Sequence, residues 1–147
     1  MFADLKPDNV GFCGDGTLKL FDFGLCTLVR TRPNAMDTYE MTGTTGSLRY
    51  MAPEVCKQEP YTEKCDVYSY GIMLWQMARD RVPFQGFGKN DFVRNVVDLN
   101  MRPKLDRAWP QPLVSLITRC WDRNPIKRPS FKAVIAELDA MIATAGK

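Results

Sequence analysis

Residues 62–78 constrain the fold more than any other stretch. Val67, Tyr70, Gly71, Leu74, Trp75 and Ala78 fall at i, i+3, i+4, i+7, i+8 and i+11, the spacing of one face of an α-helix. Ile72, Met73 and Met77 occupy the other faces. A helix apolar nearly all round belongs in the middle of a core, not on its surface. It is too short to span a bilayer, so its surroundings are expected to be protein. Asp66, near its start, is the odd member. An acid there suits the helix dipole, and it can also accept backbone N–H bonds from a neighbouring loop.

The rest of the chain supplies elements to enclose that helix. Pro53 in Ala52-Pro53-Glu54-Val55-Cys56 stands near a first helical position, where its missing N–H costs least. Phe92, Val93, Val96 and Val97 share one face of a modest helix over 90–99. Leu113, Leu116, Ile117, Cys120 and Trp121 mark another. Ser130 is placed to cap a last helix whose inner stripe is read as Phe131, Val134, Ile135, Leu138 and Ile142. Upstream, apolar runs over 9–12 and 18–21 flank Cys13-Gly14-Asp15-Gly16, whose Asp-Gly pair favours a tight hairpin turn. A lone hairpin is marginal in water and is expected to pack on something else. Residues 25–50 are threonine-rich and show no sustained period. The predicted class is α+β, mainly α-helical, with one small hairpin followed by four or five helices.

Composition excludes several chemistries. The chain has no histidine and no Cys-x-x-Cys pair, which excludes a histidine-activated serine or cysteine nucleophile and argues against a zinc site. Five dispersed cysteines fit reduced thiols, hence a cytoplasmic or nuclear protein. A net charge of +3 is too weak to call for nucleic acid as a partner. Asp4, Lys6 and Asp8 do not suit a signal peptide, and no membrane association is expected.

The chemistry-bearing stretch is Asp4-Leu5-Lys6-Pro7-Asp8-Asn9, followed by Asp22-Phe23-Gly24. Two acids, a lysine and an asparagine at this spacing suit phosphoryl transfer. That reaction asks for an orienting base beside the attacking hydroxyl and oxygen ligands for magnesium. Asp4 is the candidate for the hydroxyl, Lys6 for the transferring phosphate, and Asn9 and Asp22 for the metal.

The first of these motifs resembles the catalytic loop of protein kinases, the second resembles their magnesium-binding turn, and Ala52-Pro53-Glu54 resembles the close of their activation segment. Asp66-Val67-Tyr68-Ser69-Tyr70-Gly71 and Arg128-Pro129 follow in family order. Lys6, Gly46-Ser47 and residues 42–51 are similar to the serine/threonine type within the tyrosine-kinase-like group. The resemblance implies a partial protein kinase domain over 1–147, the large C-terminal lobe without its N-terminal lobe: catalytic loop 1–9, activation segment 22–54, helical subdomain 62–143. It implies ATP and Mg2+ as cofactors and a protein substrate. Asp4 and Lys6 would be catalytic, Lys6, Asn9 and Asp22 would meet the nucleotide and metal, and Gly46 and Ser47 would line the substrate pocket. Phe23, Gly24, Glu54, Asp66 and Arg128 would be structural, with Glu54 and Arg128 as a buried ion pair and Asp66 bound to the catalytic-loop backbone. Phosphorylation among Thr38, Tyr39, Thr42, Thr44, Thr45 and Ser47 would order the segment by pairing with an arginine.

The sequence also departs from the family pattern. Phe2 and Ala3 stand where the family expects histidine and arginine. Phenylalanine keeps apolar stacking but not hydrogen bonds, and alanine removes a phosphate-gripping cation. Gly11 stands where an apolar side chain would lie under the adenine, so that floor is expected to be thin. The 147 residues contain no glycine-rich loop, strand lysine or partnering helix glutamate, parts that the family places upstream of the catalytic loop. These gaps lead to the expectation of a chain inactive by itself, with an uncovered apolar patch around Leu74 and Trp75 and a need for the missing lobe or another protein partner. The alternative reading is a non-catalytic, kinase-like protein-binding module.

Overall fold

The polar loop closes in a 3₁₀ turn, Pro7–Asn9, and leads into an antiparallel hairpin of β1 (Val10–Phe12) and β2 (Leu18–Leu20). The computed structural model describes residues 1–28 and 47–145. Thr38, Tyr39, Thr42, Thr44, Thr45 and Gly46 lie outside the described residues, and Ser47 is placed only as the first residue of a 3₁₀ turn. The strands pair Val10 with Leu20, Gly11 with Lys19 and Phe12 with Leu18. Their turn is closed by Cys13 N–H to Thr17 O and Gly16 N–H to Cys13 O, both at 2.9 Å. Gly16 has φ 81°, a left-handed conformation that glycine adopts without a Cβ penalty.

Short 3₁₀ turns, Phe23–Leu25 and Ser47–Tyr50, precede the helices. These are α1 (Pro53–Cys56), α2 (Lys64–Arg79), α3 (Lys89–Phe92), α4 (Gln111–Cys120) and α5 (Phe131–Ala145). The apolar stretch is α2, with ten buried residues between Cys65 and Trp75. Tyr68 and Ile72 on α2, Val96 after α3, and Leu116, Ile117 and Cys120 on α4 are sealed from solvent. Full burial of a large apolar side chain is worth about 1.5–3 kcal/mol, so this cluster dominates stability. Gly71 sets how closely α2 and α4 approach. A Cβ there would lie 2.7 Å from the Cβ of Cys120 and 3.3 Å from backbone atoms of Cys120 and Trp121. Asp80 ends α2 in a left-handed conformation, its N–H bonded to Gln76 O at 2.8 Å.

Several expectations are corrected. The helix read over 90–99 begins as α3 and widens into a π-helical stretch, Val93–Asp98. The wider turn keeps Phe92, Val96 and Val97 buried while Val93 is only half-buried. On α5, Ile135 and Ile142 are exposed, and the inward line is Phe131, Val134, Leu138 and Met141. The helix packs mainly on α4, and one neighbour covers only a narrow stripe. Ser130 Oγ accepts from Ala133 N–H at 3.2 Å, as an N-cap should. Leu74 and Trp75 are buried, not uncovered, because the 104–106 connection crosses over α2: Trp75 Nε1 donates to Lys104 O at 3.0 Å. The exposed apolar side chains sit elsewhere, on and after the hairpin: Phe12, Leu18, Leu20, Phe21, Phe23 and Leu25. The hairpin does pack on the rest of the molecule, but through Val10, which lies against the helical core, and only lightly. No described helix is long and apolar enough to cross a membrane.

Candidate active site

Asp66 is where the helical core meets the polar loop. Its two carboxylate oxygens accept the backbone N–H groups of Phe2 and Ala3, both at 2.7 Å. Burial pushes the Asp66 carboxyl above its ordinary value, and these two N–H bonds oppose the rise by favouring the charged form. Ala3 has φ 67°, a left-handed conformation that costs an alanine about 1–2 kcal/mol. The Asp66 bond to its N–H is what holds it there.

Beyond Ala3 the loop brings three of the candidate residues together. Asp4 Oδ2 accepts from Lys6 Nζ at 2.7 Å and from Asn9 Nδ2 at 3.0 Å. Asn9 Nδ2 also donates to the Asp4 carbonyl at 2.9 Å. One oxygen of Asp4 is therefore gripped, and Oδ1 has no hydrogen-bond partner among the described residues. Asn9 is buried and spends its amino group on Asp4, which leaves its carboxamide oxygen as the atom able to ligate.

The hairpin returns Asp22 to the same neighbourhood, since Phe21 N–H donates to Asn9 O at 2.9 Å. Asp22 has φ 58° and its Oδ1 accepts from Gly24 N–H at 3.3 Å. Phe23 packs edge-on against Phe2, ring centroids 5.6 Å apart, so the aromatic at position 2 does stack. Residues 26–27 then run beside the start of the chain: Thr27 N–H donates to Met1 O at 3.0 Å and Met1 N to Thr27 O at 3.1 Å. The space beside Gly11 is taken by a neighbouring ring. A Cβ there would come 2.7 Å from Cε2 of Phe21, so that ring fills the room a larger residue would take.

Among the described residues no three His, Cys, Asp or Glu side chains form a ready metal cage. One carboxylate at Asp22 and one carboxamide oxygen at Asn9 nonetheless suit magnesium. That ion takes hard oxygen ligands and keeps several positions for water and phosphate.

A second set of contacts fixes the frame beneath. Arg128 and Glu54 form a bidentate pair at 2.5 and 2.9 Å, with side-chain exposures of 0% and 7%. Arg128 also donates to Asp122 O at 2.8 Å and Lys64 O at 3.0 Å. Lys64 Nζ donates in return to Arg128 O at 2.8 Å and Pro129 O at 3.0 Å. Two guanidinium groups lie against the Tyr68 ring, Arg102 at 5.0 Å and Arg128 at 5.1 Å from its centroid.

Sequence reasoning missed Tyr50. Its hydroxyl donates to Gln76 Oε1 at 2.5 Å, and its carbonyl accepts from Ser69 Oγ at 2.7 Å. Both ends of one residue are thus bolted to α2 at the close of the 47–50 turn. The available signal was two polar residues, Ser69 and Gln76, in the apolar length of α2 between Asp66 and Arg79.

The protein kinase domain family matches residues 1–138. Similar proteins include the serine/threonine/tyrosine-protein kinase HT1 of Arabidopsis thaliana, 39% identical over 92% of this chain and 33% of its own length. Human mitogen-activated protein kinase kinase kinase 7 is 40% identical over 90% of this chain and 21% of its own length. The serine/threonine-protein kinase VIK of Arabidopsis thaliana is 37% identical over 96% and 32%. The chain thus spans a third or less of these relatives. A match of this extent, over a fold built around α2 and a loop fastened by Asp66, leaves no room for coincidental motifs: the chain belongs to the protein kinase domain family.

Proposed function

We propose that the chain carries the hydroxyl- and metal-facing side of a serine/threonine protein kinase. The carrying observation is the state of Asp4: Oδ2 is held by Lys6 and Asn9, while Oδ1 accepts no hydrogen bond from any described residue. In this reading Oδ1 takes the proton of a serine or threonine hydroxyl as it attacks the terminal phosphate of ATP, whose bond to the bridging oxygen breaks to release ADP. Lys6, beside Asp4, offsets charge on the transferring phosphate. Asn9 Oδ1 and Asp22 would hold Mg2+, which would supply positive charge against the phosphate oxygens. Asp66 orients the loop through Phe2 and Ala3. Glu54 and Arg128 hold the 47–56 segment against the helices, so that Gly46 and Ser47 can line the substrate pocket. These residues form the catalytic loop, activation segment and helical subdomain of such a domain. The free cysteines support a reducing compartment, cytoplasm or nucleus.

The isolated 147-residue chain is expected to show no phosphotransfer, because none of its residues forms a glycine-rich cover for the phosphates. The test is therefore a chimera in which residues 1–138 replace the matching segment of mitogen-activated protein kinase kinase kinase 7. Phosphorylation of a serine/threonine peptide, lost in Asp4→Ala and in Asp22→Ala, is the expected result. A folded chimera that stays inactive even after Phe2→His and Ala3→Arg would overturn the catalytic reading in favour of a binding module.

A further inference from the structure

Away from the loop, a cleft of about 720 Å³ opens between the C-terminal end of α2 and the 104–107 connection, lined by Trp75, Arg79, Arg81, Lys104, Leu105, Asp106 and Arg107. Its size is that of a ligand pocket, far more than one small anion needs. Its walls are fixed. Trp75 Nε1 donates to Lys104 O at 3.0 Å, and Arg79 pairs with Asp106 at 2.6 Å. The other Asp106 oxygen accepts Ala108 N–H at 3.0 Å, so the one lining carboxylate is fully engaged. Arg81, Lys104 and Arg107 are exposed, and their side chains have no ion-pair partner among the described residues. Three uncompensated cations in one cleft equal the formal charge of the whole chain, +3.

We infer that this cleft is a docking site for an acidic peptide segment of a partner protein. Charge complementarity names the occupant: carboxylates of an extended segment would meet Arg81, Lys104 and Arg107. The half-buried Leu105 offers an apolar contact between them. The frame of the cleft is tied by Trp75 to Lys104 O and by Asp106 to Ala108 N–H, so the ordering cost on binding is confined to the three cationic side chains. Nucleic acid fits less well. Trp75 is 7% exposed and offers no face for a base to stack on. The proposal uses none of the loop residues and does not depend on the phosphotransfer reading.

The probe is a fluorescein-labelled octapeptide of six glutamates and two leucines, followed by anisotropy with the 147-residue chain. Saturable binding is expected, weakening severalfold between about 50 and 200 mM salt as screening grows. Arg81→Glu/Lys104→Glu/Arg107→Glu should weaken it at least tenfold. The charge-matched control Arg94→Glu/Arg123→Glu/Lys127→Glu alters exposed residues outside the cleft and should leave it within twofold. Thermal melts establish that both variants fold; if the triple cleft variant does not, Arg81→Ala and Arg107→Ala should each weaken binding by a smaller step. Equal losses in cleft and control variants, no binding at low salt, or tighter binding of an oligothymidylate of the same charge would each overturn the proposal.

Discussion

The two regions that build the candidate site differ sharply in how they are held. On α2, Tyr68 and Ile72 are fully buried, and Arg128 and Glu54 are locked together beside them. On the hairpin, Phe12 is 74% and Leu18 54% exposed, and the strands are three residues each. Asn9 and Asp22 flank that weakly held hairpin, yet a metal site needs them in fixed positions. Their placement rests on a few ties: Asp66 to Phe2 and Ala3, Asn9 to Asp4, and Phe21 N–H to Asn9 O. Helical burial supplies the stability, and short polar contacts transmit it to the loop.

Breaking the buried frame should have the largest effect. Arg128→Ala leaves Glu54 charged and unpaired, at a cost of about 3–5 kcal/mol in urea unfolding; an unchanged midpoint would mean that the pair contributes nothing to the contrast. Cutting the link between the regions should cost less. Asp66→Ala orphans two N–H groups and frees Ala3 from its strained conformation, for about 1–3 kcal/mol. It should loosen the loop while leaving α2 folded, a split that amide exchange can read.

Alkaline pH offers a test that falls mainly on the core. Burial pushes the Cys120 thiol and the Tyr68 hydroxyl up to about 12, from ordinary values of 9.0 and 10.0, and raises Cys65 in the same direction. The native state keeps protons that the unfolded chain releases. Stability is therefore full below pH 9 and falls as the pH rises from about 9 toward 12. Stability unchanged to about pH 11 would show the core to be wetter than its burial implies. The smallest effect is expected on the hairpin: Phe12→Ser and Leu18→Ser should each change stability by no more than about 0.5 kcal/mol. A cost above about 2 kcal/mol would mean that the hairpin is held as tightly as the helices.

What was legible in the sequence follows the same division. The all-round apolarity of α2 is a local pattern, and an acid at its start had few partners other than a loop. Asp4, Asn9 and Asp22 could be picked out because their chemistry is carried by residue type and spacing. Ala3 carries no such mark, because its strained backbone arises from a contact 63 residues away. The Tyr50 anchors, the guanidiniums at Tyr68, and the exposure of Ile135 and Ile142 all depend on which neighbour arrives. Periodicity assigns a face without saying what covers it. Nothing at Gly11 announced that the ring of Phe21, one residue past the opposite strand, would lie beside it.

Native-state hydrogen exchange, residue by residue, tests the central claim that a stable helical frame holds a marginal site loop through Asp66. The account predicts slow exchange limited by global unfolding for the amides of Tyr68 to Trp75, and fast local opening for Phe12 and Leu20. It predicts protection near the α2 level for Phe2 and Ala3, lost in Asp66→Ala. Hairpin amides as slow as those of α2, or Phe2 and Ala3 exchanging as freely in the wild type as in Asp66→Ala, would contradict it.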